Sequence, residues 1–157
     1  MSGLALAVRL ARYDDPVVRR LEQEVQAEYV ARYGGADQTP VVVDEFDPPA
    51  GVFLVGWVGH EPVVCGGYRA HGADAEVKRM FVPAAHRGNG YARTVLAELE
   101  SRARVAGYRR IILETGTEQP EAIALYTSSS YLPIPGFGHY RDSPRNRCFG
   151  KDLTLAS

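Results

Sequence analysis

The stretch that decides the fold is Val77-Lys78-Arg79-Met80-Phe81-Val82-Pro83-Ala84-Ala85-His86-Arg87-Gly88-Asn89-Gly90-Tyr91-Ala92. It reads as the end of a strand, a short turn, and a helix that begins inside a glycine-rich run. A helix N-terminus exposes backbone N–H groups without intrahelical partners and carries partial positive charge, so it attracts phosphate. Gly88 and Gly90 let the backbone approach an anion, and Arg87 adds a full charge. Two familiar phosphate cradles fail on spacing. No Lys follows Gly90, as a G-x-x-x-x-G-K-[ST] loop requires, and Arg93 stands where G-x-G-x-x-G needs its third glycine.

The charge distribution centres on the same place. The 157 residues include 18 basic and 19 acidic side chains, a formal charge of −1. Residues 1–77 hold 6 basic and 12 acidic residues, residues 78–110 hold 8 and 2, and residues 111–157 hold 4 and 5. A neutral total argues against a surface that grips nucleic acid or anionic lipid as a whole. One basic third within it suits a single bound anion. The length fits one domain spanning 1–157 with a sizeable core.

Outward from this segment, elements of both kinds alternate. Leu4 to Leu10 reads as a strand. Asp14-Asp15-Pro16 opens a helix with an acidic cap and a proline in its first turn, and Gly34-Gly35 ends it. Val17, Leu21, Val25, Tyr29 and Val30 form its expected apolar face. Residues 36–50 form a long polar loop around Phe46. Val52 to Val58, Pro62 to Arg69 and Ala75 to Val82 are strands, the first two joined by a tight turn at Gly59-His60. Residues 91–106 form a helix with Ala92, Val95, Leu96, Leu99, Ala103 and Ala106 on one face, capped by Gly107. Ile111-Ile112-Leu113 is a buried strand, Pro120 opens another helix, and residues 134–154 hold two more strands. The order is that of a mixed α/β sandwich.

Other classes find no support. Cys65 and Cys148 have no metal-ligand spacing and read as two small buried thiols in a reducing compartment. His60, His71, His86 and His139 are scattered, so no metal site is expected. No apolar run approaches the roughly 20 residues of a membrane span, and the N-terminus lacks the pattern of a signal peptide. The expected address is the cytoplasm.

Arg87-Gly88-Asn89-Gly90-Tyr91-Ala92 resembles the R/Q-x-x-G-x-G/A signature of the GNAT superfamily of N-acetyltransferases. Glu76 to Val82 looks like that family's fourth strand. Ala122-Ile123-Ala124-Leu125-Tyr126, followed by Ser130-Tyr131, looks like its A-x-x-L-Y-x-x-x-G-F/Y element. The element order matches from residue 4 to 154. The resemblance implies a GNAT-type fold: a central mixed sheet of about seven strands flanked by about four helices, splayed between strands 4 and 5.

It also implies acetyl-CoA as cofactor and roles for particular residues. Met80, Phe81 and Val82 would line the pantetheine arm through their backbone. The amides of Gly88, Asn89, Gly90, Tyr91, Ala92 and Arg93 would cradle the pyrophosphate, with Arg87 leading the turn. Tyr126 matches the general acid that protonates the leaving thiolate, since a phenol with a pKa near 10 stays protonated at neutral pH. The oxyanion would meet a strand-four amide, that of Met80 or Phe81. Glu76 is a candidate general base, where histone-modifying relatives carry one acting through water, and Glu114 is a second. Gln119 stands where many relatives have a cofactor-touching Asn, and Ser130 replaces a customary Gly.

For the acceptor, the fold directs attention to Tyr29, Arg32, Tyr33, Phe46, Arg69, Phe137 and Tyr140. These suit an aromatic or carboxylate-bearing small-molecule amine, whereas the acidic bias of residues 1–77 suits a cationic one. Neither cysteine sits in a nucleophile context, so direct attack in a ternary complex is expected. A protein or peptide amine as acceptor, and a non-catalytic acyl-CoA sensor, remain alternatives. Homodimers are common in the family.

Overall fold

The computed structural model describes residues 5–154. In chain order the elements are β1 (Leu6–Leu10), α1 (Pro16–Tyr33), a 3-10 turn (Val43–Phe46), β2 (Val52–Val58), β3 (Glu61–His71), β4 (Asp74–Phe81), a second 3-10 turn (Ala84–His86), α2 (Tyr91–Val105), β5 (Arg110–Gly116), α3 (Pro120–Ser128), β6 (Leu132–Pro133) and β7 (Asn146–Asp152). Leu4, expected to open the first strand, lies outside the described residues. The seven strands form one sheet in the order β1-β2-β3-β4-β5-β7-β6. All neighbours are antiparallel except β4 and β5, which run parallel.

Alternation along β2 shows how the two faces are covered. Val52 and Leu54 pack into a core with Leu96 and Leu99 of α2. Phe53 and Val55 point the other way, into a core with Leu21 and Val25 of α1. A strand buried on both faces in this way reads as continuously apolar.

Helix α1 starts and stops as its sequence dictates. The Asp15 carboxylate accepts from the Val17 amide at 2.8 Å, Pro16 fills the first helical position, and Gly34 closes the helix at φ 80°. Its buried face is Val18, Leu21 and Val25, while Val30 is half exposed. At about 3.6 residues per turn, Val30 lies on the side opposite Leu21, which corrects the expected face.

Three α-helices, not four, flank the sheet among the described residues. Residues 36–50 contain Pro40, Pro48 and Pro49, which cannot sustain a helical ladder, and keep only the turn ending at Phe46. The penultimate strand is also shorter and earlier than expected. Pro133 and Pro135 lack an N–H, so β6 is a two-residue edge strand at Leu132–Pro133, and residues 134–145 run mostly as turns.

Ser130 follows α3 with φ 73°, a left-handed conformation that strains a residue bearing a Cβ. Ser130→Gly is therefore expected to stabilise the protein by about 0.5–1 kcal/mol, after the greater entropy of an unfolded glycine is subtracted. Chemical denaturation would check this, with an unchanged or lowered midpoint counting against it.

Candidate active site

Strands β4 and β5 pair only at Ala75–Ile111 and Glu76–Ile112. Beyond that point they part, while β5 keeps its pairing with β7 along its other edge from Arg110 to Gly116. A bulge strengthens the divergence. Between the Cys65–Phe81 and Gly67–Lys78 pairs, one residue of β3 faces two of β4, and Arg79 takes φ 62°. A cavity of about 420 Å³ opens beside the gap, and a second of about 280 Å³ lies alongside at the start of α2. Both are lined by Tyr29, Met80, Gln119, Ala122 and Tyr126.

The second cavity is built on the turn from β4 into α2. Gly88 and Gly90 adopt φ 85° and 77°, and a Cβ on either would meet no atom within 4 Å. Backbone conformation, not crowding, selects glycine here. Gly90 caps α2 with no side-chain hydrogen bond, so the first amides of the helix stay open to a ligand. Asn89 braces the turn by donating to the His86 carbonyl at 3.0 Å. Arg87 donates to the Val82 carbonyl at 2.9 Å and pairs with Glu28 of α1, so its charge is largely committed to holding the turn. Arg93 donates to the hydroxyls of Ser128 and Ser129, tying α2 to α3. Met80, Phe81, Val82, Tyr91 and Ala92 complete the wall.

In the first cavity, Glu114 projects from β5 with its side chain only 8% exposed. Lys78 Nζ lies 3.7 Å from Glu114 Oε1 and 3.8 Å from Asp37 Oδ2. The other carboxylate oxygen, Glu114 Oε2, is buried without a hydrogen-bond partner. Burial raises the Glu114 pKa above the usual carboxylate range. Lys78 works against that rise, and Glu76 and Asp37 add to it. Burial also opposes ionisation of Asp37, but Lys78 and Arg79 outweigh it and hold that pKa below the ordinary value. Arg79 donates to the Tyr13 hydroxyl at 3.2 Å and pairs with Glu22 and Asp37. These contacts pin β4 to α1 and to the loop after it. Tyr126 packs edge-on against Tyr131 at 5.7 Å, and burial pushes its phenol pKa upward, so it stays protonated at neutral pH.

Of the expected acceptor residues, Tyr29, Tyr33 and Tyr140 line the first cavity and four others do not. Phe46 is fully buried against Tyr13 and Phe53. Arg32 is neutralised by Glu28 and Glu121. Arg69 pairs with Glu45 and Glu76 and donates to the Pro40 carbonyl. Phe137 packs on His71. Glu76, an expected base, lies apart from both cavities. It is 1% exposed and bonded to Arg69 at 3.1 Å across the β3–β4 ladder. Gln119 lines both cavities and donates to the Tyr33 hydroxyl at 3.2 Å. Lys78, Asp37 and Arg145 line the first cavity without having been singled out in the sequence as acceptor-site residues. The long polar loop over residues 36–50 was the only sign of Asp37.

Comparison with known proteins agrees with this geometry. The Acetyltransferase (GNAT) family model matches residues 18–131. An IAA acetyltransferase of Azospirillum brasilense is 37% identical over 103 residues, covering 64% of this chain and 67% of its own. A solved Klebsiella pneumoniae structure, provisionally described as an acyl-CoA N-acyltransferase, superposes with a TM-score of 0.78 at 26% identity, covering 94% of this chain and 97% of the other. The PaiA N-acetyltransferase of Thermoplasma acidophilum, solved with coenzyme A, shares the fold with a TM-score of 0.73 at 11% identity, covering 95% and 99%. With its parted strands, glycine-led helix and the sequence match across most of its length, the chain belongs to the GNAT family of acetyltransferases.

Proposed function

We propose that the protein transfers an acetyl group from acetyl-CoA to the primary amine of a small molecule, by direct attack in a ternary complex. One observation carries this reading. The anion-binding turn and the Glu114 cavity share Tyr126 as a common wall, at the point where β4 and β5 separate.

The residues present fit acetyl-CoA. The uncapped amides at the start of α2 and the open space above Gly88 and Gly90 suit its diphosphate. The edge of β4 beyond Glu76 has no β5 partner, so its backbone is available to the amides of an extended arm. Bound there, acetyl-CoA supplies an activated acyl thioester.

The chain's own groups divide the remaining work. Glu114, with a raised pKa and a free Oε2, accepts the proton of the attacking ammonium. A β4 amide, that of Met80 or Phe81, stabilises negative charge developing on the carbonyl oxygen. Tyr126 holds the proton for the departing thiolate. Burial pushes the Cys65 thiol up to about 12 and raises that of Cys148, which leaves neither as a thiolate for a covalent route.

Tyr126→Phe tests this division. A thiolate leaves readily, so the expected loss is at the low end of acid catalysis, about 100-fold in kcat. The acetyl-CoA Kd should be nearly unchanged by calorimetry. Equal losses in kcat and affinity would instead assign Tyr126 to packing.

A further inference from the structure

We propose that the acceptor carries a carboxylate as well as its amine, and that Arg145 recognises that carboxylate in the Glu114 cavity. This rests on the transfer reading above and names its substrate class.

The cavity's charges are unevenly satisfied. Arg79 is paired with Asp37 and Glu22, and Lys78 sits between Asp37 and Glu114. Arg145 has no carboxylate within ion-pair distance among the described residues. Its guanidinium lies over the Tyr33 ring at 5.6 Å, on the cavity wall. On the acidic side, Glu114 Oε2 is buried and unpartnered. The cavity thus presents one buried acceptor oxygen without a donor and, at its exposed rim, one cation without an anion. A zwitterionic amine satisfies both, with its ammonium at Glu114 and its carboxylate at Arg145.

Spacing and charge agree with this class. The Thr117 amide donates to the Arg145 carbonyl at 2.9 Å, which extends the β5–β7 ladder. Arg145 therefore stands opposite a residue three positions beyond Glu114, roughly 10 Å along the strand. From the turn before β7 the Arg145 side chain lies over Tyr33, on the cavity lining that also holds Glu114. Lys78 and Arg79 are matched by Asp37, Glu114 and Glu22, which leaves Arg145 as the lining cation outside these pairs. Tyr29, Tyr33 and Tyr140 supply aromatic walls for a side chain.

The test uses matched pairs that differ by the carboxylate: alanine and ethylamine, phenylalanine and phenethylamine, lysine and cadaverine. Each is titrated by calorimetry into the CoA-loaded protein and assayed for turnover with acetyl-CoA. The carboxylated member is expected to bind about 10- to 100-fold more tightly in at least one pair. Arg145→Gln should collapse that ratio towards unity through KM rather than kcat, with partial recovery in Arg145→Lys. Acetyl-CoA affinity should not follow the change. Carboxylate-dependent binding without turnover would retain this inference and remove the transfer reading. Binding with no preference for the carboxylated member, no binding by either member of any pair, or a preference that survives Arg145→Gln, would overturn it.

Discussion

Glu114→Gln is expected to lower kcat by about 10²- to 10⁴-fold, the range set by loss of a general base, with little change in acetyl-CoA affinity. The substitution keeps the shape of the side chain but removes its ability to take a proton. Its pH signature separates this role from a structural one. In the native protein kcat/KM should fall on the acid side as Glu114 protonates, with a midpoint above the ordinary carboxylate range because burial disfavours its charge. Glu114→Gln should lose that limb. Stability responds in the opposite sense. A carboxyl whose folded pKa exceeds its unfolded one contributes stability in acid that is lost as pH rises through the folded value. The variant should therefore lose less stability than the native protein between acid and neutral pH. An intact acid limb in the variant would remove Glu114 from proton transfer. Glu76→Gln is a useful contrast, since it breaks the ion pair with Arg69 outside both cavities and should act on stability first.

Gly90→Glu is expected to weaken acetyl-CoA binding by about 100-fold or more. Two effects act together. Any side chain at φ 77° strains the turn by about 1–2 kcal/mol, and a carboxylate at the start of α2 repels the diphosphate that the open amides attract. Gly90→Ala carries the strain without the charge and should fall between. Calorimetric titration of all three proteins, with circular dichroism to confirm folding, resolves the two contributions. Native affinity in Gly90→Glu would place the phosphates elsewhere.

Local sequence carried much of the reading. The strand–turn–helix at Val77 to Ala92, the Asp15-Pro16 start of α1 and the Pro120 start of α3 depend on neighbours a few residues away. Such elements are specified by capping and by glycine or proline at fixed offsets. Gly88 and Gly90 were found this way and Tyr126 by its resemblance to a family element, and the structure puts all three on the wall of the second cavity.

Side-chain pairing was not legible in the same way. Arg69 and Arg32 looked available because the carboxylates that neutralise them are Glu45 and Glu76 for one, and Glu28 and Glu121 for the other. Only Glu28 is close enough in sequence, at four residues on one helix, to be anticipated. Arg145 looked ordinary because its place over Tyr33 on the cavity lining is set by the fold.

The amino-acid order alone thus specified a mixed α/β chain with a glycine-led helix start after a strand, since those features are local, while Tyr126 was singled out by resemblance to a family element. The choice of Glu114 over Glu76 belonged to the tertiary structure. Both are acidic residues in strand-forming segments, and their difference arises from what lies across the sheet. The β3–β4 register places Arg69 opposite Glu76, whereas the parting of β4 from β5 leaves Glu114 on a cavity wall with one oxygen unpartnered. A carboxylate's role follows from desolvation and from the charges around it, and those are properties of the folded assembly of strands.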